Sequence, residues 1–344
     1  MSSVNSNLIE VLNNIAFWIN RLGPIIILVL GTIGNFFNII IFTRRSLRKN
    51  SCSLYFLAGS IVNFVVMYVA LLTRYLATSW NIDPSATNPI WCKIRYLLIY
   101  PALSLALWFI VLACLDRYFS SSHQVHLRQL STLSVARKLI ILITIVMFLI
   151  NIHVIVFAQT TIISGIAICT ILPDEYLVFF NIFVPIISCL LPLILMSIFG
   201  ILTIVNVRAI HRRRNIQDNS TTRGHLHSND RQLIVMLLCQ VTIATIIVAP
   251  WALINMFSAI GITVLKYQFS STGSTIYDFC FNVSRMMYYM NPVLGFYIYT
   301  LSGPRFRTEL KNLFSQTNRR NIIHPTRLQL RQTNETLNYA FRAH

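Results

Sequence analysis

Asp116 and Arg117 are the first residues whose types and position suggest a chemical role. They follow a run from Tyr96 to Leu115 that contains no Asp, Glu, Lys or Arg. An acid and a base at the end of such a run can form an ion pair in a partly dry environment, and such a pair can bias a two-state equilibrium. The simpler interpretation is that Arg117 anchors an apolar helix in lipid headgroups.

A second acid and three prolines occupy related positions in other apolar runs. Asp230 lies 20 residues before Pro250 and could reach Arg117 from a neighbouring helix at the same depth. Pro192, Pro250 and Pro292 each remove a backbone hydrogen bond and permit a kink, so the ends of their helices could swing. Alternatively, the prolines are simply tolerated in lipid-embedded helices.

The elements that position these residues are long apolar segments. The chain is 55% hydrophobic and only 11% charged, which is too little charge for the surface of a soluble protein of 344 residues. A helix needs roughly 20 apolar residues to cross a membrane. We therefore predict an all-α membrane protein, a bundle of seven transmembrane helices. The charge-free stretches are Leu22–Thr43, Ser51–Thr73, Tyr96–Leu115, Leu139–Pro173, Tyr176–Val207, Gln232–Leu265 and Met286–Pro304.

The distribution of charge predicts the orientation. With Asp116 and Arg117 on the cytoplasmic side and seven alternating spans, 22 of the 28 Lys and Arg residues fall inside. This bias places the N-terminus outside and the C-terminus inside a multi-pass plasma-membrane protein. All but one unit of the net charge of +18 then faces the anionic inner leaflet of the lipid bilayer and intracellular partners, which argues against nucleic acid as a partner.

Four regions follow from this topology. We predict an extracellular N-terminal arm over residues 1–21, the bundle over 22–301, a short amphipathic helix over 302–315 and a disordered cytoplasmic tail over 316–344. The amphipathic helix is indicated by apolar residues at helical spacing, with basic residues on the other face. The tail is polar and basic and has no periodicity.

A β-hairpin is predicted in one outer loop. Thr160–Thr170 has β-branched residues around a Ser-Gly turn, although a longer fourth helix would also fit its first half. Cys169 lies in this loop. Cys92 lies 25 residues before Arg117, about 37 Å along a helix, so it is outside when Arg117 is inside. The two cysteines can form a disulfide that pins the loop to the third helix.

In these features the chain resembles the rhodopsin-like class of G-protein-coupled receptors, over about residues 23–315. Each motif is weak alone, but their joint order and spacing are specific. The motifs are Gly34-Asn35, Leu57-Ala58, Cys92, Asp116-Arg117-Tyr118, Cys169, Pro192, Asp230, Pro250 and Asn291-Pro292.

The resemblance implies a receptor whose ligand binds in the outer half of the bundle. In this family, the arginine that matches Arg117 is held by its neighbouring acid and by the acid that matches Asp230. An agonist moves the sixth helix outward, and the freed arginine then meets a heterotrimeric G protein. The Asp116-Arg117-Tyr118 region would thus be the inner half of a switch.

The chain departs from the family in three places. The position that carries the sodium-binding Asp in the second span is Ile61, with Asn63 as the nearest polar group, so we expect the sodium site to be weak or missing. Val248 replaces the aromatic two residues before Pro250. In the seventh span the family reads Asn-Pro-x-x-Tyr, which would put Gly295 at the position of the tyrosine. Alternatively Tyr299 matches that tyrosine, and we prefer this register.

The ligand is predicted less directly. Ile99 stands where amine receptors carry an Asp, and the seventh span has no Lys for a retinal Schiff base, so no cofactor is expected. Arg285 and Asp278 lie seven residues apart on one helical face and could pair with each other. Otherwise Arg285 could hold a carboxylate. Tyr100, Asn181, Glu175 and Tyr288 could line the same cavity, and a small neuropeptide is the favoured ligand.

Three other classes of function remain open. A membrane hydrolase would need clustered His, Asp or Ser, often around zinc, and only His153 lies within a span. We therefore predict no catalytic residues and no metal. A transporter would need broken helices or a polar pore stripe, which these apolar spans lack. A receptor-like protein that no longer signals is also consistent with the departures above.

Overall fold

The computed structural model describes residues 2–163, 165–216, 228–304, 306–313 and 315. The predicted tail, 316–344, and residues 217–227 lie outside these residues. The helices are α1 (Ser2–Phe42), α2 (Ser51–Val65), α3 (Thr73–Trp80), α4 (Pro84–Thr87), α5 (Pro89–Ser121), α6 (Val125–Leu130), α7 (Leu133–Asn151), α8 (Val154–Phe157), α9 (Asp174–Pro185), α10 (Leu191–Ile216), α11 (Ser228–Phe257) and α12 (Ser271–Ser302), and the strands are β1 (Ala158–Ile163) and β2 (Ile166–Ile171).

Six helical stretches in the described chain are long and apolar enough to cross a membrane. They are Asn7–Phe42, Ser51–Trp80, Pro89–Ser121, Leu133–Phe157, Glu175–Ala209 and Leu233–Val264. α12 has 32 residues but is not among the six. It is less apolar because it carries Arg285, Asn291 and several tyrosines. The expectation of an all-α membrane protein is met by these helices, and α12 is a candidate seventh span by its length.

The first helix is longer than the sequence predicted. α1 is continuous over 41 residues, so residues 2–21, expected as an arm, are helical. Apolar side chains recur at Leu8, Val11, Ile15 and Trp18, at intervals of three or four residues. Because this is the helical period, the pattern of the span extends well before Leu22, where the charge-free stretch begins.

α5 is the central helix of the bundle. Of its most apolar stretch 72% is buried, against 17% for α7 at the periphery. The main core lies between α2, α5, α10, α11 and α12, and includes Tyr55, Leu107, Met196 and Tyr299. Asn88 caps α5 by accepting hydrogen bonds from the backbone N–H groups of Ile90 and Trp91, which fixes the start of this helix.

The predicted hairpin is confirmed. The fourth span ends at Phe157, and β1 and β2 pair antiparallel with Thr160 opposite Cys169. Gly165 supplies the positive φ of 81° at the turn. Cys92 of α5 and Cys169 of β2 form a disulfide with a Cα–Cα distance of 5.7 Å, which ties the hairpin to the central helix. We call this end of the bundle the disulfide end.

Two local features adjust the helices to their neighbours. A π-helical turn, Ile186–Leu190, directly precedes Leu191–Pro192, and its wider spacing accommodates the missing N–H and the ring of Pro192. Gly34 permits α1 and α12 to approach closely. A Cβ added there would lie 3.0 Å from the Cβ atom of Phe296, so a larger residue would push the helices apart.

Candidate functional site

Asp116 and Arg117 form a buried ion pair at the end of α5 opposite the disulfide. The Arg117 Nη2 atom lies 2.5 Å from the Asp116 Oδ2 atom, and Nε donates to the same oxygen over 3.1 Å. The two residues are only 2% and 4% exposed. Two charges removed from water are stable only while they are paired and hydrogen-bonded, so the pair holds the arginine in place. We call this end of the bundle the Asp-Arg end.

Hydrogen bonds from two neighbouring segments complete the pair. Ser131, between α6 and α7, donates to the Asp116 Oδ1 atom over 2.9 Å. The Arg117 Nη2 atom donates to the Asn50 Oδ1 atom over 3.5 Å, and the same oxygen caps α2. Tyr118 is half-buried, and its ring centroid lies 6.1 Å from that of Phe199 on α10. The pair is therefore a junction between α2, α5 and the connection that follows α5.

The second predicted acid of this junction cannot be placed. Asp230 lies in the first turn of α11, but its side chain is outside the described part of the structure. Its role as a partner of Arg117 therefore stays a prediction.

Tyr299 lies in the core near the Asp-Arg end. It is 3% exposed, and its hydroxyl donates to the Gln240 Oε1 atom of α11 over 2.7 Å. Its ring centroid lies 4.8 Å from that of Phe56 and 5.9 Å from that of Phe306. Gln240 was not singled out from the sequence, although an amide within a charge-free apolar stretch is a signal of a buried hydrogen bond.

Residues 306–313 are helical and continue the chain beyond α12. Phe306 is 1% exposed and packs on the Phe42–Tyr299 cluster, which anchors the segment to the bundle. Glu309 accepts hydrogen bonds from the Arg44 Nη1 atom over 3.0 Å and from the Ser46 hydroxyl over 2.6 Å. Burial alone would raise the pKa of Glu309, but the Ser46 and Arg44 hydrogen bonds and the arginine charge together hold it below its usual value.

Three polar groups connect α1, α2 and α12 in the middle of the bundle. The Asn35 Nδ2 atom donates to the Pro292 carbonyl over 3.0 Å, and Asn63 donates to the Asn35 Oδ1 atom over 3.0 Å. Asn63 therefore occupies the interior position that the motif spacing had given to Ile61. Ile61 is 53% exposed and points away from the bundle. The motif register was wrong because a two-letter match does not determine which helical face is buried.

A small polar cavity of about 20 Å³ lies beside this network. Its polar lining comes from Asn38, Tyr55, Ser60, Asn63, Gln240, Asn291 and Tyr299, and none of its lining residues is an acid. The Asn38 Oδ1 atom is buried and has no hydrogen-bond partner. This space suffices for about one water molecule, which could satisfy that oxygen. The lining supplies no carboxylate to neutralise a buried sodium ion, so it fits this cation poorly.

The other predicted binding residues lie toward the disulfide end. Tyr100 packs edge-to-face against Phe180, with ring centroids 4.6 Å apart. Asn181 follows Phe180 in the sequence. Tyr288 stacks on Trp251 with centroids 4.5 Å apart. Arg285 does not pair with Asp278: its Nη2 atom donates to the Asn282 Oδ1 atom, and its guanidinium lies 5.3 Å from the Phe281 ring centroid.

Asp278 and Glu175 were predicted near the ligand, but both are exposed. Glu175 lies on the outermost turn of α9, and Asp278 lies about two turns inside the outer end of α12. Asp278 thus neither neutralises Arg285 nor lines the interior with it.

A bundle of long apolar helices with a buried Asp-Arg pair at one end and a helix-to-hairpin disulfide at the other defines a helical membrane receptor. The family model for the seven-transmembrane receptors of the rhodopsin family matches residues 34–299. The chain belongs to this family, whose members generally bind extracellular ligands and couple to G proteins. The comparison with curated proteins gives no match.

The acid-free cavity predicts that the protein does not respond to sodium. We expect the melting temperature of the purified protein to be the same in NaCl and in KCl at about 0.15 M. Asn63→Asp would place a carboxylate in the cavity and should make NaCl raise the melting temperature by about 2–4 °C relative to KCl. A sodium-specific stabilisation of the unmodified protein would contradict the assignment.

Proposed function

We propose that this protein is a plasma-membrane receptor with seven spans, of which α12 is the seventh. The N-terminus lies outside, the C-terminus lies inside, and residues 306–313 lie along the inner leaflet. Support comes from family membership and from the concentration of 22 of the 28 basic residues in the segments assigned to the inside. In this orientation the disulfide end is outside, where the compartment is oxidising.

The proposed mechanism is a two-state switch at the Asp-Arg end. In the inactive state Asp116 holds Arg117, Asp230 reaches it from α11, and Tyr299 is held by Gln240. Ligand binding at the outer end favours a state in which the inner half of α11 moves away. Arg117 and Tyr118 then become available to a heterotrimeric G protein. The observation that carries this proposal is the burial of the Asp116–Arg117 pair. Because both charges are shielded from water, Arg117 can reach another protein only after the helices rearrange.

The ligand is proposed to bind in the outer half of the bundle, below the β-hairpin. Tyr100, Asn181, Arg285 and Tyr288 are the residues in question, and a small peptide is the favoured ligand. Support comes from the aromatic walls formed by Phe180 and Trp251. Aromatic walls with few polar groups are typical of ligand pockets.

The test needs no ligand. Wild type, Asp230→Ala and the double variant Asp230→Ala with Arg117→Ala are expressed at matched surface levels, and basal dissociation of a panel of Gα subtypes is recorded. Asp230→Ala should raise the basal signal by several-fold, because one of the two acids that hold Arg117 is lost. Adding Arg117→Ala should remove the increase. A background signal for every variant and every subtype would contradict coupling and favour a receptor that does not signal.

A further inference from the structure

Arg285 faces the interior of the bundle. Tyr288, Pro292, Gly295 and Tyr299 follow it at intervals of three or four residues, and all four are buried. Residues at these intervals share one face of a helix. Arg285 is therefore on the inward-facing stripe of α12, on its outer half.

A second arginine approaches Arg285 from the second span. Met67 and Ala70 are 1% and 2% exposed, and Arg74, four residues after Ala70, is half-buried. Arg74 and Arg285 lie within electrostatic range of each other, and Tyr100 and Tyr289 lie in the same range. Two guanidinium groups and two tyrosines thus share one region in the outer half of the bundle.

No acid neutralises this pair among the residues that the structure describes. The ion pairs there join Arg44 to Glu309 and Arg117 to Asp116. Asp83, near the outer ends of these helices, is engaged with the backbone N–H and hydroxyl of Ser85.

Hydrogen bonding also leaves the pair incompletely satisfied. The Nε atom of Arg285 is buried and has no acceptor. The neighbouring Arg95 is different, because it donates to the Thr73 and Ser85 hydroxyls. An unneutralised cation within a span is costly, and such groups commonly bind a charged partner.

We propose that Arg74 and Arg285 form a subsite that binds a carboxylate of the extracellular ligand. Guanidinium groups bind planar carboxylates through two parallel hydrogen bonds, and the free Nε–H of Arg285 supplies one such donor. Both arginines are half-buried, and Arg285 lies on the inward-facing stripe of α12, so a soluble ligand in the bundle reaches them more directly than a lipid headgroup does. The inference rests on the proposed receptor function and identifies the ligand as an anion, such as a peptide with an acidic side chain or a free C-terminus.

The experiment measures binding without signalling. Purified receptor is titrated with succinate, with neutral succinamide as the control, and its melting temperature is recorded. Succinate should raise the melting temperature by about 2–4 °C at saturating concentration. Arg285→Gln and Arg74→Gln should each lose this shift, whereas Arg285→Lys should keep part of it. Arg21→Gln, which removes an exposed arginine at the same end, should respond like the wild type.

Three results would overturn the proposal. The first is the absence of any succinate-induced shift in the melting temperature of the wild type. The second is a succinate shift in both arginine-to-glutamine variants that equals the wild-type shift. The third is a shift with inorganic phosphate but not with succinate. The last result would assign the subsite to a phosphate, such as that of a lipid headgroup. The basal Gα signal is recorded on the same preparations. Succinate binding without a Gα signal would contradict G-protein coupling and support the anion site. A Gα signal without succinate binding would support coupling and contradict the anion site.

Discussion

Asp116→Asn should raise ligand-independent G-protein activation by roughly tenfold or more. The substitution removes the carboxylate that pairs with Arg117 in the described part of the structure, and loss of one partner from a buried ion pair typically costs about 3–5 kcal/mol. Asparagine still accepts a hydrogen bond from Ser131, so part of this cost is recovered. The pair is intact in the inactive state, so the remaining destabilisation falls mainly on that state. A remaining difference of about 1.4 kcal/mol shifts the equilibrium between inactive and active states tenfold toward the active one.

The effect is measured as basal dissociation of the Gα subtype that responds most strongly, at matched surface expression. Glu10→Gln, which neutralises an exposed acid on α1, is the matched control and should leave the basal signal unchanged. Adding Arg117→Ala to Asp116→Asn should return the signal to background, because the group that meets the G protein is then gone. An Asp116→Asn variant that is well expressed and silent would mean that the pair only anchors α5.

The sequence predicted the apolar segments, the hairpin and the two cysteines because each of these depends on local composition and spacing. Charge-free runs of membrane length have no stable alternative to helices in lipid. The Ser-Gly turn between β-branched residues likewise selects a hairpin. The spans and the hairpin are each decided within about 20 residues of chain, so they need no knowledge of the neighbours. The pairing of Cys92 with Cys169, 77 residues apart, followed from the predicted topology, which places both on the outer side.

Features that depend on the orientation of a helix could not be predicted in the same way. Asn63 rather than Ile61 faces Asn35, because the packing of α2 on α1 determines which face is buried. Gln240 and Tyr299 are 59 residues apart and meet only after α11 and α12 have packed. The absence of a pair between Arg285 and Asp278 has the same origin, since the Asp278 side chain is exposed while Arg285 is half-buried.

Removal of the disulfide should produce a large loss of stability. Cys92→Ala frees the loop between residues 92 and 169, and a cross-link over a separation of 77 residues contributes about 4–5 kcal/mol in the chain-entropy model. The hairpin would then be held mainly by packing, for example of Ala158 and Ile171 in the buried cluster that also contains Phe180. We expect the melting temperature of the purified protein to fall by on the order of 10 °C and the surface level in cells to fall several-fold.

A free cysteine at the same end distinguishes the cross-link from the loss of a thiol. Cys280 on α12 is unpaired and exposed, so Cys280→Ala should change the melting temperature by less than about 1 °C. Cys92→Ala with Cys169→Ala should be no less stable than Cys92→Ala alone, because the second thiol has no partner left to lose. Reductant should lower the melting temperature of wild type toward that of the double variant. If Cys92→Ala matched Cys280→Ala instead, packing of the hairpin on α5 would hold the outer end without the covalent bond.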